Sequence, residues 1–269
     1  MPKLPKLLHE CPAIVLRDVR GVLTDIDDTL TTDGEIPPTT LRALAALHDA
    51  GLPVIAITGR PMGWSIPVAR DTALSAVVAE NGAVALWHDE DEALVVEYAQ
   101  DAVTRERNEA RLQAVAQRIL AEVPGATLAR DSAGRVTDIA IDHSEFAHLD
   151  SGAIAQVVAL MRDEGMNATV SSIHINGWFG EHDKLSGARW IVQRLLHREL
   201  DAEHARWVYV GDSTNDQLLF AHFPLSVGVA NLRHFADQLH VWPAWITDGE
   251  RGAGFEEVAR ALLAARSQG

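Results

Sequence analysis

Positive charge is scarce in this chain: 23 lysines and arginines stand against 38 aspartates and glutamates, a formal charge of −15. A phosphate backbone or an anionic membrane is held by clustered Lys and Arg. The sequence contains no run of them, so neither nucleic acid nor a membrane surface is an expected partner. A single cysteine, Cys11, excludes an internal disulfide. No apolar stretch reaches the length that crossing a bilayer demands. The opening Met1-Pro2-Lys3-Leu4-Pro5-Lys6 lacks the apolar segment of a secretory signal, which makes the cytoplasm the expected compartment and the Asn167-Ala168-Thr169 sequon a chance match. Repeats and low-complexity tracts are missing as well. What is plentiful is apolar surface to bury: 47% of the residues are hydrophobic, enough for one large domain or two smaller ones. The oligomeric state is left open by the sequence.

Short apolar runs alternate with amphipathic segments in the way a parallel sheet requires. Residues 21–25 read as a strand, 39–50 as a helix stopped by Gly51, and 54–58 and 76–79 as further strands. The last third repeats the alternation. It offers a helix from Lys184 to about Leu200, with Ala188, Ile191, Val192 and Leu195 on one face, then strands at 207–210, 225–229 and 245–247, and a helix from Glu256. Trp207, Trp242 and Trp245 fall among these elements as packing residues.

The middle of the chain has another character. Residues 83–87 and 94–98 read as a hairpin around His88-Asp89-Glu90-Asp91-Glu92. A helix over 101–123 carries Leu112, Val115, Ala116, Ile119 and Val123 at helical spacing and is stopped by Pro124-Gly125. Residues 127–130 then pair with 136–142, a helix spans 150–164, and a strand runs over 168–179. The expectation is an α/β fold: a doubly wound, mainly parallel core sheet from residues 1–82 and 181–269, interrupted by an α/β unit over 83–180. Glu80-Asn81-Gly82 and Gly180-Glu181-His182-Asp183 are the expected crossings.

In an open α/β sheet the ligand crevice lies beyond the carboxyl ends of the strands. Asp25-Ile26-Asp27-Asp28-Thr29 closes the first core strand and Gly211-Asp212-Ser213-Thr214-Asn215-Asp216 closes a later one, so acids remote in sequence are aimed at one site. Carboxylates gathered in this way repel one another unless a cation sits among them, and oxygen-only ligands with an open position point to Mg2+. Asp25, at the strand end, is placed to attack phosphorus and form an aspartyl-phosphate. Asp27, two residues on, is placed to protonate the departing alkoxide and later to take a proton from water. Thr58, Gly59 and Arg60 offer a hydroxyl, an unhindered backbone N–H and a guanidinium for phosphoryl oxygens. Lys184 supplies a point charge beside Asp25. Asp212 completes the metal site, and Asn215 and Asp216 position bound waters or the ligands themselves.

These four motifs, in this order, resemble the haloacid dehalogenase (HAD) superfamily of phosphohydrolases. The long insert after Thr58, entered through Glu80-Asn81-Gly82-Ala83, looks like the type IIB branch, in which an α/β cap covers the site. The likeness spans essentially the whole chain. It implies a Rossmann-like core and Mg2+ held by the side chains of Asp25 and Asp212 and the backbone carbonyl of Asp27. It also implies a phosphorylated sugar or related small metabolite as substrate. One departure is Asp28, where many type IIB members carry glycine; it adds negative charge near the metal and disfavours highly anionic substrates.

On the 168–179 strand, Ser172, His174, Asn176 and Trp178 share one face by the two-residue period, with Ile173, Ile175 and Phe179 on the other. The polar face is expected to look onto the crevice, its amide, imidazole and hydroxyl groups meeting a polyol and Trp178 stacking on a sugar ring. His174 and His182 lack the third ligand of a zinc site, and Gly252-Ala253-Gly254 lacks the context of a dinucleotide loop. The function expected is therefore a Mg2+-dependent phosphatase. A sugar phosphomutase using the same phosphoaspartate, halide hydrolysis and a non-catalytic sensor of phosphorylated ligands are the alternatives.

Overall fold

The computed structural model describes residues 4–267. Thirteen strands among the described residues carry the architecture: β1 Lys6–Leu7, β2 Gly21–Thr24, β3 Val54–Ile57, β4 Ala76–Ala79, β5 Val84–His88, β6 Leu94–Tyr98, β7 Thr127–Leu128, β8 Asp138–Asp142, β9 Asn167–Val170, β10 His174–Trp178, β11 Trp207–Gly211, β12 Leu225–Gly228 and β13 Trp245–Ile246. Nine of them form one sheet in the order β1-β13-β12-β11-β2-β3-β4-β5-β6. Every pairing from β1 across to β4 is parallel; β5 and β6 add an antiparallel edge.

The core strands are apolar at nearly every position because both faces of this sheet are covered. Alternation sends Val22, Ala56, Val77, Val208 and Val210 to one face, packed with the helices Pro38–Asp49 and Arg251–Ser267. Leu23, Ile55, Ile57, Val78, Trp207 and Tyr209 take the other, packed with the helix Lys184–Leu196. A second sheet, β7-β8-β10-β9, stands apart with its own apolar layer, in which Ile139, Ile141 and Ile175 meet Leu112, Val115 and Ile119 of the helix Ala102–Glu122 and Val157 and Met161 of the helix Ser151–Asp163. Each such side chain contributes about 1.5–3 kcal/mol by leaving water, so this smaller layer has a core of its own.

Four expectations are corrected. The hairpin over 83–98 does not belong to the inserted layer: β5 pairs with β4 and extends the main sheet. A period-two pattern specifies a strand but not the sheet it joins. The strand expected over 168–179 is a hairpin, β9 and β10, turned through residues 171–173 and closed by Ser171, whose N–H and hydroxyl both donate to the His174 carbonyl. The last helix starts at Arg251, five residues before Glu256, and the Lys184 helix stops at Leu196 because His197 turns left-handed at φ +52°.

The two crossings between the sheets lie against each other. Gly82 has φ +107°, and a Cβ there would collide with the Asp183 carbonyl, so only glycine lets these backbones meet.

Candidate active site

The register of three parallel strands assembles the floor of the site. Thr24 pairs with Val210 on one side and Ala56 on the other, so the residues just past each strand end, Asp25, Asp212 and Thr58, emerge together. Asp25 is still tied to the sheet by its N–H, which donates to the Val210 carbonyl. A tight turn follows, with the N–H groups of Thr29, Leu30 and Thr31 all donating to the Ile26 carbonyl. Asp28 takes φ +53° within it, the conformation for which glycine is the usual residue.

Lys184 opens its helix behind Asp183, which caps it by accepting from the Ser186 N–H at 2.6 Å while Ser186 Oγ accepts from the Asp183 N–H at 2.8 Å. A lysine at a helix N-terminus opposes the dipole, so its charge is held elsewhere. Its Nζ donates to Asp25 Oδ1 and to Asp216 Oδ1, both at 2.8 Å, with all three side chains buried. Asp216 is fully committed: Oδ1 also accepts from the Tyr209 hydroxyl, and Oδ2 from the N–H groups of Asp212 and Ser213 at 2.9 and 3.1 Å. This carboxylate slides beneath Gly211, where a Cβ would stand 2.6 Å from its Cγ.

Asp25, Asp212 and Asp216 each offer an oxygen within 4.8 Å of the others. Two oxygens on opposite sides of one Mg2+ stand roughly 4.2 Å apart. Asp212 accepts from Asn231 Nδ2 at 3.3 Å through Oδ2, but Oδ1 is buried with no partner. With Lys184 charged, three carboxylates and one ammonium leave two negative charges uncompensated in a buried space, which fits a divalent cation with Asp25 and Asp212 as its side-chain ligands. Burial and the charges of Asp216, Asp25 and Asp28 hold the Asp212 carboxyl well above the usual range. Burial likewise pushes Asp25 up to about 7, Lys184 pulling down against it and Asp216 and Asp27 pushing up. Burial opposes the Lys184 charge, but Asp216 and Asp25 outweigh it and raise its pKa.

Above this floor Arg60 closes a seam to the second sheet. Its Nε donates to Asp27 at 2.9 and 3.1 Å, its Nη1 to Asp131 at 3.2 Å and its Nη2 to Glu145 at 3.0 Å. The Thr58 hydroxyl accepts from the Arg60 N–H at 3.0 Å. The Gly59 carbonyl accepts from Arg135 Nη1 at 2.8 Å and from Asn176 Nδ2 at 3.3 Å, and Arg135 also binds both oxygens of Asp138 at 2.9 Å. Buried Glu80 ties the crossing to the same layer, accepting from the N–H groups of Met62, Val136 and Thr137 and from the Thr137 hydroxyl.

Of the proposed polar face, His174 Nε2 donates to Glu145 Oε2 at 2.9 Å, and Asn176 reaches Gly59 and Asp138. Ser172 lies in the turn before β10, near the Asp28 carboxylate. Trp178 departs from expectation: it is buried, stacks on His182 at 5.7 Å between centroids and donates to the His182 carbonyl, so its ring packs at the crossing. Asn215 Oδ1 accepts from the hydroxyl of Ser213, the residue that caps this turn, at 2.9 Å.

Several site residues escape the sequence motifs. Asn231 joins the loops after β2 and β11 by donating to the Asp28 carbonyl at 3.0 Å and to Asp212; its position just past β12, at a strand's carboxyl end, was the available signal. Arg251 pairs with Asp28 at 3.2 Å and so offsets the charge that marks the Asp28 departure. Glu145, Asp131 and Arg135 lie in loops without a pattern.

Residues 22–119 match the family model of haloacid dehalogenase-like hydrolases. No curated protein matches the sequence. Among solved structures, a Thermoplasma acidophilum protein, 0175, shares the fold at TM-score 0.69 and 16% identity, over 91% of this chain and 98% of that one. The sucrose-phosphatase of Synechocystis, solved with sucrose and phosphate, does so at TM-score 0.63 and 16% identity, over 91% and 98%. A HAD subclass IIB sugar phosphatase does so at TM-score 0.59 and 16% identity, over 90% and 98%. The family match over residues 22–119 and a fold shared across nine-tenths of the chain agree with the ordered motifs, and residues 22–119 are similar to the haloacid dehalogenase-like hydrolases.

Proposed function

We propose that this hydrolase is a Mg2+-dependent phosphatase that cleaves the phosphate monoester of a sugar or sugar-like metabolite through an aspartyl-phosphate on Asp25. The observation that carries the reading is the buried group at the floor: Asp25 fixed by Lys184 at 2.8 Å, beside an Asp212 oxygen that has no partner. Mg2+ bound by Asp25, Asp212 and the Asp27 carbonyl would supply charge to the phosphoryl oxygens. Sugar phosphatases of the same fold support the substrate class.

Lys184 holds one oxygen of Asp25, which orients the carboxylate and leaves the other for attack on phosphorus. The new bond joins that oxygen to phosphorus as the bond to the leaving alkoxide breaks, and Asp27 gives the alkoxide its proton. Asp27 then takes a proton from water, which attacks the same phosphorus and returns Asp25 as a carboxylate. Thr58 and the Gly59 N–H hold phosphoryl oxygens, and Arg60 keeps Asp27 aimed through its paired contacts. The layer between residues 100 and 180 acts as a lid whose closure excludes water and protects the acyl phosphate.

Phosphate release from a panel of phosphorylated sugars, polyols and nucleotides, with Mg2+ and after chelation, tests the reading. Release confined to Mg2+ and to sugar or polyol esters is expected, with Asp25→Asn lowering turnover at least about a thousandfold. Near-normal turnover by that variant refutes the covalent route. Isomerised product without phosphate release makes the protein a mutase, and binding without turnover makes it a sensor.

A further inference from the structure

Two arginines stand side by side at the end of the core sheet remote from the active site. Arg20 and Arg206 directly precede β2 and β11, and the Arg20 N–H donates to the Arg206 carbonyl at 2.8 Å, which carries the register of these strands one residue beyond the Gly21 and Trp207 pair. Neighbours in register send their side chains to the same face, and like charges placed so repel. Both side chains line a concavity of about 360 Å³, together with Arg17, Arg198 and Arg266. Asp18 is the one acid among the residues that line it.

Helix ends account for part of this cluster. Arg17 and Arg266 lie in the last turns of the helices Ala13–Arg17 and Arg251–Ser267, where a cation suits the dipole. The Arg17 guanidinium donates to the Ala265 carbonyl at 3.3 Å, and that of Arg266 to the Val19 carbonyl at 3.0 Å, an acceptor that fixes the Arg266 charge without cancelling it. Arg198 pairs with Glu203 at 3.3 Å. Neither account reaches Arg20 and Arg206, which are exposed and form no ion pair among the described residues. In a chain of net charge −15, this is a local surplus of the scarce sign.

We infer that this concavity is a binding site for a small anion carrying a chain of two or three phosphates, separate from the catalytic floor. Guanidinium forks grip phosphoryl oxygens in pairs, and several that converge on one hollow suit a ligand with several anionic groups better than one with a single group. Its volume lies at the low end of small-molecule sites. The field of the rest of the protein also favours a short ligand: charges beyond about 8–10 Å are screened, so a short anion feels mainly the arginines, whereas a long one would trail over a surface of the same sign as itself. Asp25 lies at the other end of β2, one strand length or roughly 16 Å from Arg20. A ligand here therefore leaves the floor open.

Titration calorimetry on the full chain tests the site, with metal removed on a chelating resin so that no soluble chelator competes as an anion. The probes are tripolyphosphate, ATP, orthophosphate and a DNA duplex of about 20 base pairs, at about 50 mM salt. Tripolyphosphate is expected to bind with a Kd of about 100 μM or tighter, at least about tenfold more tightly than orthophosphate and more tightly than the duplex. Arg20→Ala combined with Arg206→Ala should weaken it at least about tenfold, the worth of one charge-assisted contact. Both side chains are exposed and their backbone contact survives the change, so circular dichroism and the denaturation midpoint should match the parent. Asp25→Asn should leave the affinity within about threefold of the parent's. ATP bound as tightly as tripolyphosphate identifies the phosphate chain alone as the ligand, and ATP bound at least about tenfold more tightly identifies a nucleotide; either upholds the site. A Kd above about 1 mM for both, orthophosphate bound as tightly as tripolyphosphate, an affinity that the double variant leaves in place or that Asp25→Asn shifts tenfold or more, or a duplex bound more tightly than tripolyphosphate overturns it.

Discussion

At the floor of the site three carboxylates share one ammonium and an Asp212 oxygen is left buried without a partner, whereas along the seam above it Asp27, Asp131, Asp138 and Glu145 each have a guanidinium. The seam acids Asp27, Asp131 and Glu145 also keep some water, with side-chain exposures of 14, 13 and 22%. The floor acids Asp25 and Asp216 keep 6% and none. Buried charge without a partner is costly, so the surplus at the floor is tolerable only where an ion arrives, whereas these seam acids each touch a guanidinium. The floor is thus built to take up charge and the seam to hold two layers in register.

Removing the cation from each cluster measures this contrast most strongly. Lys184→Ala strands Asp25 and Asp216 in a dry site and is expected to cost about 3–5 kcal/mol. Arg60→Ala frees carboxylates that can turn toward water, and about 1–2 kcal/mol is expected. Urea denaturation of both variants in chelator provides the comparison; equal losses would erase the distinction between floor and seam.

Asp212→Asn tests the surplus itself with a smaller effect. A carboxyl whose pKa is raised by folding binds its proton more tightly in the native state, so its contribution is fully present below the ordinary value near 3.8 and is lost as pH rises through the folded value. For Asp25 that window runs from about 3.8 to about 7. The metal-free protein should therefore lose stability between pH 5 and pH 8, and Mg2+ should restore more of it at the higher pH because protons and metal compete for the same oxygens. In chelator at pH 8, Asp212→Asn should be more stable than the parent by about 1–2 kcal/mol and should respond little to added Mg2+. Calorimetric scans decide it, and a metal-free variant less stable than its parent at pH 8 would contradict the uncompensated charge.

The floor was legible because its residues close apolar strands: a buried strand ending in Asp25, or in Gly211-Asp212, points its acid at the crevice whatever the rest of the chain does. The seam was not. Glu145, Asp131 and Arg135 become neighbours of Arg60 only when β8 and its flanking loops settle on the core, a contact with no local period. Strand assignment met the same limit at 83–98, where the pattern named a hairpin but left its sheet to the packing. Basic charge is a third case: the sequence contains no run of arginines, yet folding gathers Arg17, Arg20, Arg198, Arg206 and Arg266 around a concavity of about 360 Å³. Four stretches of chain supply them, so no window along the sequence could show the cluster.

Asp28 lies between floor and seam, and its replacement should have the smallest effect. Its left-handed φ of +53° is a strain that Asp28→Gly relieves, by roughly 1 kcal/mol or less for an aspartate. Glycine raises the entropy of the unfolded chain by roughly the same amount, and the Arg251 pair that is lost, with the Arg251 side chain 37% exposed, is worth about 0–1 kcal/mol. The terms nearly cancel, so denaturation midpoints should place the variant within about 1 kcal/mol of its parent. A larger shift in either direction would show that strain, chain entropy and the Arg251 pair do not offset one another.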